Sequence, residues 1–164
     1  MKKNTKALDK MLKSLRKMNG MKVEWGFFSD TEYPDPRGEA SVAEVAKLVN
    51  DGHQNGGAFH GTTTPATPFF DQAVSDKGNH AEMRRTIKRL QRLVLQGKIT
   101  PEEKMEALGE LAVKQLRQSI INFRPRTLSQ ATLAMREWRG ESSIDPLIES
   151  GLLLDSVEYQ VREV

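Results

Sequence analysis

The sequence predicts an α+β fold: a small mixed or antiparallel sheet packed against several helices. Three observations carry that expectation. Apolar residues recur at spacings of three and four along a long N-terminal segment and along two long central segments, as amphipathic helices require. Two short segments, one near each end of the chain, alternate apolar and polar residues with the period of two that marks half-buried strands. Gly- and Pro-bearing turns separate these segments throughout. A length of 164 residues fits one domain, 1–164, large enough to bury a core without staples.

The first helix is expected from about Thr5 to Met18, with Ala7, Leu8, Met11, Leu12, Leu15 and Met18 as its apolar stripe. Asn4 or Thr5 would cap it, and Asn19-Gly20 would stop it. Its other face is basic, so residues 1–20 read as a basic amphipathic helix that needs a docking surface on its own domain or on a neighbouring subunit. Residues 21–29 follow as a strand, in which Val23, Trp25 and Phe27 alternate with Lys22, Glu24 and Gly26. Pro34 and Pro36 make the next segment a loop.

A short helix is expected from about Ser41 to Asn50, its inner face made by Val42, Val45, Ala46 and Val49. Residues 53–67, rich in Gly, Thr and Asn, read as a flexible loop or a short hairpin around Phe59. Pro68 then opens a short helix over residues 69–74. The first long central helix runs from about Asn79 to Gln96 on a stripe of Met83, Ile87, Leu90 and Val94. The second is announced by Thr100-Pro-Glu-Glu103, a capping box in which Thr100 and Glu103 satisfy each other's orphan amides and Pro101 takes the first helical position. Met105, Leu108, Ala112, Leu116 and Ile120 continue it to about Asn122. A further short helix is expected over 129–138. The chain closes with a strand in which Val157, Tyr159 and Val161 alternate with Glu158, Gln160 and Arg162.

Charge is unevenly spread, although the net is only +3. Lys2, Lys3, Lys6, Lys10, Lys13, Arg16 and Lys17 crowd the first helix against Asp9 alone. A second run of Arg84, Arg85, Lys88, Arg89, Arg92 and Lys98 is opposed by Glu82. Such runs are either solvated helix faces or contacts for a polyanion.

Motifs for chemistry are sparse. The chain has no cysteine, hence no disulfide framework and no thiolate ligand or nucleophile. His53 and His60 share a flexible segment with Asp51 nearby, but no closed ligand set with recognised spacing appears. Asp30, Glu32 and Asp35 lack the alternating spacing, central Gly and distal Glu of a calcium loop. No phosphate-binding Gly-rich loop or nucleophile elbow occurs. The expectation is a protein with no catalytic residues, no metal and no cofactor, and so not an enzyme. No apolar run reaches the roughly 20 residues that span a bilayer, and the basic N-terminus lacks the apolar core of a signal peptide. No membrane partner is expected.

The last third carries a resemblance. Leu116-Arg-Gln-Ser-Ile120, Arg124-Pro-Arg-Thr-Leu-Ser-Gln-Ala-Thr132, Pro146-Leu-Ile-Glu-Ser-Gly-Leu-Leu-Leu-Asp-Ser-Val157 and Tyr159-Gln-Val161 resemble a run found in the tail-completion and virion-morphogenesis (minor tail) proteins of tailed phages. That family's pattern is a helix, a loop with Pro-Leu-Ser-x-x-Thr, then Pro-Leu-x-Asp-Thr-Gly-x-Leu-x-x-Ser-Ile-x-Tyr-x-Val. Upstream, residues 42–50 look like its helix entering a variable loop, and Pro65-Ala-Thr-Pro-Phe-Phe70 looks like its Pro-Ala-Arg-Pro-Phe turn. Departures are Glu149-Ser150 for Asp-Thr, Thr67 for Arg, and Arg126-Thr127 inside the Pro-Leu pair.

The resemblance implies a structural virion protein that completes the tail or joins head and tail as a neck subunit. It would work as a homo-oligomeric ring among connector or adaptor, tail-terminator and tail-tube proteins, in the virion and, during assembly, in the host cytoplasm. Candidate interface residues are Lys6, Lys10, Lys13 and Arg16 on the first helix, Phe59 and His60 in the loop, Arg84, Arg85 and Lys88 on the basic helix, and Leu152 and Leu153 as apolar anchors. The alternative is a nucleic-acid-binding accessory protein that uses the basic helices, and non-specific DNA contact is compatible with either reading.

Overall fold

The computed structural model describes residues 2–28, 41–54, 61, 63–123, 137–138 and 151–164. The fold is α+β, mostly helical, with two small antiparallel strand pairs packed against helices. The elements are α1 (Lys2–Asn19), β1 (Met21–Gly26), α2 (Val42–Asp51), β2 (His53–Gln54), β3 (Thr63–Thr64), α3 (Phe69–Ser75), α4 (Lys77–Leu95), α5 (Pro101–Asn122), α6 (Leu152–Asp155) and β4 (Glu158–Glu163). The expected helix over 129–138 lies almost wholly outside the described residues, as does the loop around Phe59. The chain divides into two compact units, each assembled from separated stretches.

The first unit holds residues 1–26, 75–115 and 159–164. Strand β1 pairs with β4, and the Val164 amide donates to the Gly20 carbonyl at 2.8 Å, which puts the end of β4 beside the start of β1. Met18, Val94 and Met105 form the buried centre, and Leu15, Met21, Val23, Ile99, Leu108 and Val161 pack around it. Residues from α1, β1, α4, α5 and β4 thus meet in one cluster, so the strand pair gains the helix cover that an isolated pair lacks.

Helix α1 starts at Lys2, three residues earlier than its sequence suggested, so Asn4 and Thr5 fall inside its first turn rather than capping it. Helix α4 starts at Lys77 with Asp76 as its cap, whose Oδ1 accepts from the Asn79 amide at 2.7 Å. The capping box of α5 is present: the Thr100 amide donates to Glu103 Oε2 at 2.6 Å and the Glu103 amide to Thr100 Oγ1 at 3.2 Å.

The second unit holds residues 27–74 and 116–158. Its buried apolar residues are Val42 and Ala46 on α2, Phe69 and Ala73 on α3, Leu116 and Ile120 on α5, and Leu153 and Val157 around α6. Phe27 meets Phe69 edge-on, with ring centroids 6.0 Å apart, a favoured aromatic geometry. A second capping box starts α2: the Ser41 amide donates to Glu44 Oε2 at 2.8 Å and the Glu44 amide to Ser41 Oγ at 3.3 Å.

The C-terminal end of α2 is closed from a distance. The Thr67 amide donates to the Val49 carbonyl at 2.9 Å, and Asn50 Oδ1 accepts from the Phe70 amide at 3.1 Å. These bonds satisfy groups that a helix end leaves orphaned and fix the Pro65–Pro68 turn against it. Strands β2 and β3 pair in register His53↔Thr64 and Gln54↔Thr63, so the segment expected as a loop or hairpin has a hairpin base.

Candidate interaction surfaces

Helix α1 is half docked. Met18 is 6% exposed and Leu15 packs on the core, but Leu8 is 62%, Leu12 45% and Met11 39% exposed. The sequence stripe therefore splits: its last turns belong to the first unit's core, and its first turns present bare apolar side chains. Lys6, Lys10, Lys13 and Arg16 are all exposed on the same helix. No acidic residue stands in its first turn to offset the positive end of the helix dipole. Lys17 is held in place by an ion pair with Glu102 on α5, a contact that raises the Lys17 pKa and lowers that of Glu102.

On α4, Arg84, Arg85 and Lys88 are exposed, as are Arg89 and Arg92. Glu82, the one acid on that helix, accepts a hydrogen bond from Gln115 Nε2 at 3.0 Å.

Of the two leucines expected as anchors, one is buried. Leu153 is 8% exposed and Leu152 half-buried, so Leu153 packs into the interior of its own unit. The reason is the turn that precedes them. Gly151 sits at φ +68, a left-handed conformation that glycine adopts without a Cβ penalty, and this starts α6 directly. Arg117 on α5 then clamps the other end: Nε donates to the Leu154 carbonyl at 3.1 Å, and Nη2 to those of Asp155 at 3.3 Å and Val157 at 3.2 Å. A guanidinium is suited to this, since its fan of donors meets the orphan carbonyls of a one-turn helix. Arg117 lies inside the quoted run 116–120, but only the fold shows what it holds.

Phe59 and His60 lie outside the described residues, as do Asp30, Glu32 and Asp35. His53 is placed at the base of the β2–β3 pair, with Nδ1 3.3 Å from the Leu48 carbonyl. Among the described residues no three His, Asp or Glu side chains gather in a way that would hold a metal ion. Among them also, no helix is long and apolar enough to cross a membrane.

Two further features escaped the sequence. Gly109, in the middle of α5, is the seat of Tyr159 from β4: a Cβ there would lie 2.2 Å from Tyr159 Cδ2. Lys104 is 8% exposed, and its Nζ lies 3.4 Å from Met18 Sδ. Burial pushes its pKa below the ordinary lysine value.

Charge separates between the two units. The first contains eighteen Lys and Arg against nine Asp and Glu, and the second seven against thirteen. The whole chain's net charge of +3 hides this division.

No protein family, no curated protein and no solved structure matches the chain.

Proposed function

We propose that this protein is a structural subunit of a tailed-phage virion, completing the tail or joining head to tail, and that it acts by assembling into a ring. The observation that carries the reading is the bare apolar half of α1, where Leu8, Met11 and Leu12 lie uncovered beside Lys6, Lys10 and Lys13. Isolated exposed apolar residues need no explanation, but three on adjacent turns of one helix form a patch that suits a partner. The resemblance of residues 42–161 to tail-completion proteins supports the same reading from sequence.

The charge division supports a particular kind of contact. A surplus of cations in one unit and of anions in the other favours unlike surfaces meeting when copies associate. Contacts between unlike patches are heterologous, and heterologous contacts close into rings when the rotation permits. In this reading α1 of one copy reaches the acidic unit of the next, with Glu44, Asp51 and Asp71 as exposed acids there. The working parts are surfaces, and the protein carries out no reaction.

Light scattering on the purified chain tests this. The expectation is a discrete oligomer that Leu8→Ser with Leu12→Ser disperses to folded monomer. A chain that stays monomeric at tens of micromolar, whatever its concentration within that range, overturns the reading.

A further inference from the structure

The exposed face of α4 is built differently from that of α1. Arg84, Arg85, Lys88, Arg89 and Arg92 stand at i, i+1, i+4, i+5 and i+8. At 100° per residue they fall within an arc of about 140°, and at 1.5 Å per residue they run about 12 Å along the axis. Lys77 falls in the same arc and extends the row to about 22 Å. All six are exposed.

Among the described residues none of the six makes an ion pair; the acids that are paired hold Lys17, Lys22, Lys47 and Arg162 instead. Arg85 Nε donates to the Ala81 carbonyl at 3.2 Å, a bond that leaves its charge unmatched. The row therefore sets like charges on neighbouring turns, which costs stability in the isolated helix.

We infer that this row binds the phosphate backbone of duplex DNA without reading its sequence. The composition of the face selects among anionic partners. Between Lys77 and Arg92 the arc otherwise holds only Gly78 and Ala81, and the one large apolar residue in line with it, Leu95, is half-buried at the helix's last position, so the row itself offers no large apolar side chain of the kind that anchors protein interfaces or inserts into lipid. No Phe, Tyr or Trp occurs on α4 and His80 falls outside the arc, so the row gives unstacked bases no platform, which favours a duplex over a single strand. Four of the five central cations are arginines, whose planar fork suits phosphate oxygens. The inference is independent of ring assembly, since it concerns a different helix face.

The test is fluorescence anisotropy with a labelled 20-base-pair DNA of arbitrary sequence, titrated from 50 to 200 mM salt. Neutralising about five phosphates gives a log–log slope of about −4.5, a loss of roughly 500-fold in affinity over that range. Arg85→Ala with Arg89→Ala reduces the slope by about 2 and Lys114→Ala, on α5, leaves it unchanged. Melting curves verify that each variant is folded. The Leu8→Ser, Leu12→Ser chain keeps the wild-type slope, which separates this contact from assembly. No binding at 50 mM salt overturns the inference. So does a slope that the α4 variants fail to change, or tighter binding to single strands or to phosphatidylserine vesicles than to the duplex.

Discussion

Gly109→Ala gives the sharpest check on how the first unit is packed. A Cβ at this position would lie 2.2 Å from Tyr159 Cδ2, 2.5 Å from Cγ and 2.7 Å from Cε2. These are ring atoms near the root of the side chain, so no small rotation relieves the overlap. The ring must leave the helix, or β4 must lift. Helix propensity pulls the other way, since alanine is favoured over glycine by about 1 kcal/mol in a helix interior. Displacing a half-buried tyrosine forfeits about 2–3 kcal/mol of packing. The net is a loss of about 1–2 kcal/mol, read as a fall of roughly 2–8 °C in melting temperature for a chain of this size. The assay is urea unfolding followed by circular dichroism. Its strength is a change of sign: in a Tyr159→Ala background, where the ring is gone, Gly109→Ala should stabilise by about 1 kcal/mol. A wild-type background in which Gly109→Ala is neutral or stabilising refutes the claim that Tyr159 rests on this glycine.

Other outcomes follow from the same structure. Lys104→Met should raise the urea midpoint by the equivalent of about 1 kcal/mol, because a buried charge is replaced by an apolar chain of similar length. The sign with pH is fixed. The folded pKa of Lys104 lies below the unfolded value of 10.5, so its charge is a cost in full below the folded pKa. That cost disappears as pH rises toward 10.5, and the gap between Lys104→Met and wild type should shrink over that window; a gap that widens contradicts the assignment. Arg117→Ala should cost about 2 kcal/mol and speed amide exchange over residues 152–157, since three carbonyls lose their donor. Arg117→Lys should recover under half of that loss, because one ammonium cannot span all three.

Much of the α+β fold was legible because its signals are local. The Thr100–Glu103 box names both partners within four residues, and the alternation of Val157, Tyr159 and Val161 marks β4. The Ser41–Glu44 box is equally local. What stayed hidden depends on residues distant in sequence. Gly109 announces itself only as a helix-breaking residue inside a helical pattern, and the ring that needs it stands fifty residues later. Arg117 is one arginine among many until α6 presents its carbonyls. The apolar stripe of α1 is continuous in sequence, yet only the packed unit shows that Leu15 and Met18 are covered while Leu8 and Leu12 are not. The charge division is invisible along the chain because each unit is stitched from separated stretches.

The most direct test of the assembly reading is the mass of the purified chain in solution, measured by native mass spectrometry beside its Leu8→Ser, Leu12→Ser variant. The account predicts a single closed oligomer for the native chain and a folded 18.5 kDa monomer for the variant. A native chain that remains an 18.5 kDa monomer, or a variant that assembles equally well, contradicts it.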